Sequence, residues 1–385
     1  MPANLPAEAK AKWLKVMEAR SPEEKLRALE EFLSAVPKHK GTSKLRARVR
    51  HQMAVLRREI EAKKRKKKSG GPKFFVSKEG VAQVILVGLT NSGKSILLKT
   101  LTNANPQVSE EPFCTKTPVP GMLQYEGVDI QVVEAPALVE GASRGAMWGA
   151  QTLALIKNAD FISLLVDLSY DPRSQLKALI QELSYAGVLL IPKKFKVSIE
   201  KRKGSGVSIL GLSVEEAERL REALEDLGLS DIVIKVSGEV GAEQVMNAIM
   251  GYKFKPAVVI GTKYDIGKEN YSVLKEECRK IGLKTLPFYL NIDKEYVKRE
   301  LFNTVMNSLR LIRVYTKSPR SRDPDPRPII LEEGATVLDL AKNLHSRLYK
   351  GFRYAKVWSS RFRFNPQRVG AKFPLGDGDI VEIII

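Results

Sequence analysis

The chain has 385 residues, 43% hydrophobic and 28% charged, with 64 Lys+Arg against 44 Asp+Glu and a formal net charge of +20. That length predicts roughly two to four compact units with room for a sizeable core. Cys114 and Cys278 are too few for a disulfide framework and point to a reducing compartment. No apolar run approaches the ~18–20 residues of a membrane helix and no apolar h-region marks a signal peptide, so a soluble, cytoplasmic protein without a membrane partner is expected.

The charge is unevenly placed. Residues 1–73 hold 21 Lys+Arg and 8 Glu with no Asp, a surplus of 13; the rest of the chain carries 43 basic and 36 acidic residues, a surplus of 7. Such concentration points to a polyanion, RNA first of all. The competing reading is a solvated charged face, as heat-stable proteins carry. His39, His51 and His345 are scattered without zinc-type spacing and read as ordinary surface or half-buried residues.

Residues 7–36 read as helical. Ser21-Pro22-Glu23-Glu24 supplies an N-cap, a proline at the first helical position and a capping-box glutamate. Leu26, Leu29, Phe32, Leu33 and Val36 then mark one face. A second helix carries Leu45, Val49, Met53, Leu56 and Ile60, a stripe suited to packing on the first as a hairpin. Its other faces hold Lys44, Arg46, Arg48, Arg50, Arg57 and Arg58, available to phosphates. The run Lys63-Lys64-Arg65-Lys66-Lys67-Lys68-Ser69-Gly70-Gly71-Pro72 reads as a linker, since like charges repel and Gly-Gly-Pro breaks a helix.

From about residue 76 strands and helices alternate, the mark of an α/β domain with a mainly parallel sheet. Strands are predicted at Val84–Val87, Val128–Glu134, Phe161–Asp167, Ala257–Gly261 and Pro287–Leu290. Between 170 and 255 the register breaks. Val188–Ile191, Phe195–Ile199, Val207–Leu210 and Ile232–Val236 read as short strands around a helix at Val214–Leu227, a small α+β insertion. Its basic tip, Lys201 to Gly206, reads as a solvated turn or, second, an RNA contact. After about 311 the order strand, strand, helix, strand, strand fits a β-grasp domain: Ile312–Thr316, Ile329–Leu331, Thr336–Leu348, Ala355–Trp358 and Ile380–Ile385. Phe352, Arg353, Tyr354, Trp358, Arg361, Phe362, Arg363 and Phe364 interleave aromatic and basic residues, suiting stacked bases and phosphates, although strand alternation buries part of them.

Two motifs carry chemistry. Gly88-Leu89-Thr90-Asn91-Ser92-Gly93-Lys94-Ser95 fits G-x-x-x-x-G-K-[ST] and lies between a predicted strand and the helix beginning at Ile96. Its glycines let backbone N–H groups approach a phosphate chain, and the helix N-terminus adds partial positive charge. Lys94 would reach the β- and γ-phosphates and Ser95 would ligate magnesium. The loop alone does not choose between ATP and GTP. Thr262-Lys263-Tyr264-Asp265, at the end of a predicted strand, is similar to N-K-x-D. There the aspartate accepts from guanine N1 and the 2-amino group, which adenine lacks, and the lysine stem covers the base.

With these residues the chain resembles the developmentally regulated GTP-binding (DRG) proteins of the Obg-like GTPases over nearly its whole length. Phe113-Cys114-Thr115 looks like their switch I F-T-T. Glu134-Ala135-Pro136-Ala137 stands where the family has D-x-P-G, and Val139-Glu140-Gly141-Ala142 matches the following I-E-G-A. Ile312 to Lys317 and Asn365 to Gly370 are similar to its TGS domain. The resemblance implies a basic helical hairpin and linker at 1–73, an Obg-type G domain at 76–310 with its α+β insertion at about 170–255, and a TGS β-grasp domain at 311–385.

It further implies GTP or GDP held by Gly88, Asn91, Ser92, Gly93, Lys94, Ser95, Ile96, Ala137, Lys263 and Asp265. Lys94, Thr115 and Glu134 would be the catalytic set. Ser95 and Thr115 would ligate magnesium, with Asn91 beside a potassium ion. The expected partners are the ribosome or another RNA, through the hairpin and the TGS domain, and a small accessory protein. Leu138 stands where a water-orienting glutamine would be needed, so slow hydrolysis is expected. Four departures stand out: Glu134 for aspartate, Ala137 for glycine, Thr262 for asparagine, and Pro287-Phe288-Tyr289-Leu290 where the family has a serine–alanine guanine loop. They favour, as the alternative, a diverged factor that holds GTP or GDP with little hydrolysis.

Overall fold

The computed structural model describes residues 5–19, 21–38, 42–66, 74–106, 115–201, 206–227, 229, 231–319 and 321–385. Three helices open the chain: α1 (Ala7–Glu18), α2 (Pro22–Ala35) and α3 (Ser43–Lys66). There follow β1 (Gln83–Gly88), α4 (Lys94–Leu101), β2 (Val119–Tyr125), β3 (Val128–Glu134), α5 (Gly149–Asn158), β4 (Phe161–Asp167), α6 (Pro172–Tyr185) and β5 (Val188–Ile191). The insertion holds β6 (Lys196–Lys201), β7 (Val207–Leu210), α7 (Val214–Asp226), β8 (Ile232–Ser237) and α8 (Ala242–Ile249). The central unit resumes with β9 (Lys253–Thr262), α9 (Lys268–Lys280), β10 (Lys284–Pro287) and α10 (Lys294–Leu309). The last unit has β11 (Leu311–Thr316), β12 (Ile329–Glu332), α11 (Val337–Leu344), α12 (Ser346–Lys350), β13 (Tyr354–Trp358), β14 (Gln367–Val369) and β15 (Asp379–Ile384).

The central sheet runs in the order β10-β9-β4-β1-β3-β2, with β5 also paired to β9. All its pairs are parallel except β2 with β3. Alternation along each strand feeds two cores. Ile85, Val87, Ile162, Leu164 and Val259 pack with Leu155, Leu179 and Leu274 from α5, α6 and α9. Val84, Leu86, Leu165, Val258 and Ile260 pack on the other face with Leu97, Leu301 and Phe302 from α4 and α10. A sheet covered on both faces reads as the apolar strand runs seen here.

Several sequence expectations shift. Strand β5, placed in the insertion by the sequence, pairs in parallel with Lys253–Pro256 and so extends the central sheet. The predicted strand Pro287–Leu290 ends at Pro287; beyond it Phe288 turns its side chain into the core and its N–H bonds Gly261 O at 2.8 Å. Edge strand β2, absent from the predicted strands, carries Pro120 and Gly121, which are tolerated where one side of the ladder is free. Helix 336–348 breaks at His345, whose extended backbone (φ −167, ψ 142) ends α11 and caps α12.

The N-terminal helices are three rather than two, and they share a single core with the insertion. Trp13, Leu29, Phe32, Val49 and Met53 pack with Leu220, Leu224, Ile234, Val245 and Met246. Trp13 and Phe32 meet at 4.8 Å between ring centroids. Helix α3 is also fastened to the G domain, where the His51 ring lies 2.9 Å from Ser184 O and stacks on Tyr252. Part of its basic face is used internally. Arg46 donates to the Leu33 and Val36 carbonyls at the end of α2, while Arg48 pairs with Glu243 and Arg57 with Glu30. Arg50 stays exposed.

In the C-terminal unit the sheet order is β12-β11-β15-β13-β14, with α11 on one face, a β-grasp arrangement. Ala355 and Val357 face the core, while Tyr354, Lys356 and Trp358 alternate to the other side. There Arg368 lies 3.8 Å from the Tyr354 ring centre and Lys317 lies 4.8 Å from that of Trp358. Arg361 instead pairs with buried Asp379, and Phe352 and Phe362 pack on the core. This unit docks through Arg313, which binds Asp377 and reaches Glu126 at the tip of the β2–β3 hairpin. Residues 67–73 of the linker, Phe113, Cys114 and residues 202–205 of the basic tip lie outside the described residues. No helix among the described residues is long and apolar enough to cross a membrane.

Candidate functional site

The phosphate loop joins the end of β1 to the start of α4, as strand, loop and helix require. Gly93 caps α4 at φ 80, a left-handed conformation that costs glycine nothing. Gly88 is required by space, since a Cβ there would lie 2.3 Å from Ser92 Oγ and 3.0 Å from Leu165 O. Asn91 also takes positive φ, 56°, a conformation asparagine tolerates better than most residues. Ser92 is fully buried and donates to Leu89 O at 2.9 Å. Ile96 is half-buried against the core on the α10 side of the sheet.

The Lys94 ammonium is held inside the loop. Its Nζ donates to Leu89 O at 2.7 Å and to Gly88 O and Ser92 Oγ at 3.3 Å. Burial pushes its pKa down to about 8, and the Glu134 carboxylate opposes that shift. Glu134 ends β3 fully buried, and both predicted magnesium hydroxyls converge on it. Ser95 Oγ donates to Glu134 Oε1 at 2.6 Å and Thr115 Oγ1 donates to the same oxygen at 2.9 Å. Glu134 Oε2 is buried with no donor among the described residues. Glutamate at this position thus reaches both hydroxyls. Its hard-oxygen donors suit a divalent cation of the magnesium type.

The other departures have structural counterparts. Ala137 is half-buried and its φ is not positive, so it follows Glu134 without left-handed strain. Leu138 donates its N–H to Gly88 O at 3.0 Å and buries its side chain in the α5–α6 core, far from presenting a polar atom to water. Thr262 is buried, donates to Val166 O at 3.2 Å, and sits beneath Gly93, where its methyl would meet a Cβ at 3.5 Å. It packs against the phosphate loop where asparagine would hydrogen-bond to it. Lys263 takes φ 55 and pairs at 2.5 Å with Asp167, a buried carboxylate at the end of β4. Asp265 stands exposed in the following turn, its carboxylate accepting no hydrogen bond among the described residues. The Phe288 carbonyl accepts from Tyr264 N at 3.1 Å, tying the two loops that flank Asp265.

Two supporting residues escaped sequence reading. Asp167 orients Lys263; only its position as the last residue of an apolar strand could have signalled it. Glu182 on α6 is buried and accepts from Gly141 N and Ser143 N, both at 2.8 Å. It fixes the loop that follows Glu134. A glutamate inside a helical run carries no local signal of such a role.

A phosphate loop, a carboxylate shared by two hydroxyls and a separate exposed aspartate in the turn after β9, on a sheet followed by a β-grasp unit, define a P-loop GTPase with an appended TGS domain. Residues 83–201 match the family model described as 50S ribosome-binding GTPase, and residues 312–385 match that of the TGS domain. An uncharacterized GTP-binding protein of Methanocaldococcus jannaschii is 32% identical over 371 residues, covering 94% of this chain and 93% of that protein. The developmentally-regulated GTP-binding protein 2 homolog of Dictyostelium discoideum is 29% identical, and the human developmentally-regulated GTP-binding protein 2 is 25% identical; each match covers 94% of this chain and 98% of the relative. The chain belongs to the DRG family of Obg-like GTP-binding proteins.

Proposed function

We propose that this GTP-binding protein is a slow, magnesium-dependent GTP hydrolase acting on the ribosome or another RNA, in translation or ribosome assembly. The observation that carries the hydrolase reading is the convergence of Ser95 and Thr115 on Glu134 beside the Lys94 ammonium. Ser95 and Thr115 would hold magnesium, whose charge offsets that of the β- and γ-phosphate oxygens. Lys94 exchanges loop carbonyls for phosphate oxygens, and the first turn of α4 directs its N–H groups at them. Asp265 accepts from the guanine edge. With Leu138 in the core, the attacking water is placed by another group or by a partner, a potassium ion beside Asn91 would offset negative charge developing in the transition state, and intrinsic turnover is slow. A small accessory protein on the TGS domain or switch region could supply that group.

The RNA reading rests on the basic surplus of residues 1–73 and on the cation–aromatic face of the TGS sheet. One observation favours the second reading, a nucleotide-holding RNA factor that does not switch. The segment after Glu134 is tied at Leu138 to Gly88 and at Gly141 and Ser143 to Glu182, which opposes a switch movement. GTP turnover with magnesium, in potassium against sodium and with and without ribosomes, separates them. Bound nucleotide with no turnover above background in every condition selects the non-switching factor. The shared core makes deletion of residues 1–73 a poor RNA test, since it would strip the insertion. Glutamine at Lys63, Lys64, Arg65, Lys66, Lys67 and Lys68 instead should flatten the salt dependence of RNA binding; an unchanged slope removes this run from the RNA site.

A further inference from the structure

We infer that Glu134 binds the nucleotide's divalent cation directly, with Oε2 in the metal's inner shell and Oε1 holding the Ser95 and Thr115 hydroxyls. The inference rests on the magnesium-dependent reading proposed above. An ionised carboxylate oxygen that is buried without a donor is costly. Oε2 is in that position among the described residues, because both neighbouring hydroxyls donate to Oε1. A cation on Oε2 removes that cost.

The reach of the side chain agrees. A carboxylate that meets the metal through a water stands about 4 Å from it, against about 2 Å for direct contact. One extra methylene extends the arm by about 1.5 Å, most of that difference. Glutamate here replaces one metal-bound water.

The test counts those waters. Full-length protein is loaded with GDP and Mn²⁺, and metal-bound waters are counted from the broadening of the Mn²⁺ resonance in ¹⁷O-enriched water. Glu134→Asp is expected to bind one more water than the wild type, with Mn²⁺ affinity falling by about tenfold, the value of one lost ligand contact near 1.4 kcal/mol. Glu134→Gln, which preserves shape, is the second arm and should lose at least as much affinity. Equal water counts, or a Glu134→Gln affinity within about twofold of wild type, overturn the inference and leave Glu134 acting through the two hydroxyls alone. GDP affinity is measured on the same samples. Failure of every protein to bind GDP overturns the nucleotide reading itself, a result distinct from nucleotide bound with unchanged hydration.

Discussion

Glu182→Ala should loosen the loop that carries the end of the switch region. Its carboxylate is buried and accepts from two backbone amides, Gly141 N and Ser143 N, at 2.8 Å each. A hydrogen bond to a charged acceptor is worth about 1.5–3 kcal/mol, so the pair is worth about 3–6 kcal/mol at most. The loop is partly exposed at Arg144 and Gly145, and once freed its amides find water. Relaxation of that kind leaves about 3 kcal/mol, or about 150-fold in the local opening equilibrium. Amide hydrogen exchange across residues 139–149 reads this directly. Glutamine keeps one acceptor but turns an NH₂ group towards the second N–H, so Glu182→Gln should fall near alanine. Exchange at Gly141 and Ser143 within about threefold of wild type would refute the clamp. The consequence reaches function, because the same loop begins three residues after Leu138, whose N–H is bonded to the phosphate loop.

Asp265→Asn removes a charged acceptor from the base site and should weaken guanine nucleotide binding by about 100-fold while leaving ATP binding unchanged; competition titration decides, and equal loss for both nucleotides would remove the base assignment. Leu224→Ala empties part of the core shared by the insertion and the N-terminal helices, so it should cost about 2–5 kcal/mol and raise hydrogen exchange in α1 and α2 together with α7; an effect confined to α7 would mean separate units. Burial pushes the Cys278 thiol up to about 12, leaving about one thiolate in ten thousand at pH 8. In a Cys114→Ser background a thiol-specific disulfide reagent should therefore stay idle until denaturant is added, and prompt native labelling would contradict that burial.

Much of this protein was legible because its informative elements are local. The phosphate loop is contiguous, and strand runs such as Phe161–Asp167 and caps such as Ser21 with Glu24 depend on near neighbours. The resemblance that named the family likewise lay in short runs. Elements whose identity depends on distant partners were not legible. Strand β5 has the same four apolar residues in either sheet, and only its pairing with Lys253–Pro256 assigns it. The charged face of α3 reads as free in sequence, yet Arg46, Arg48 and Arg57 are spent on carbonyls and carboxylates elsewhere in the fold.

The sequence by itself determined the class of protein, because Gly88 to Ser95 and Thr262 to Asp265 carry their chemistry in consecutive residues. It also exposed the departures at Glu134, Ala137, Leu138 and Thr262. Only the tertiary structure decided what those departures do. Glu134 lies 39 residues from Ser95 and 19 from Thr115, and no local pattern reports that one oxygen gathers both. Leu138 reads as a missing polar group until the fold shows it filling a core. Contacts that close over such separations are made by the pairing of β3 with β1 on one side and with β2 on the other, and that pairing is where the site acquires its geometry.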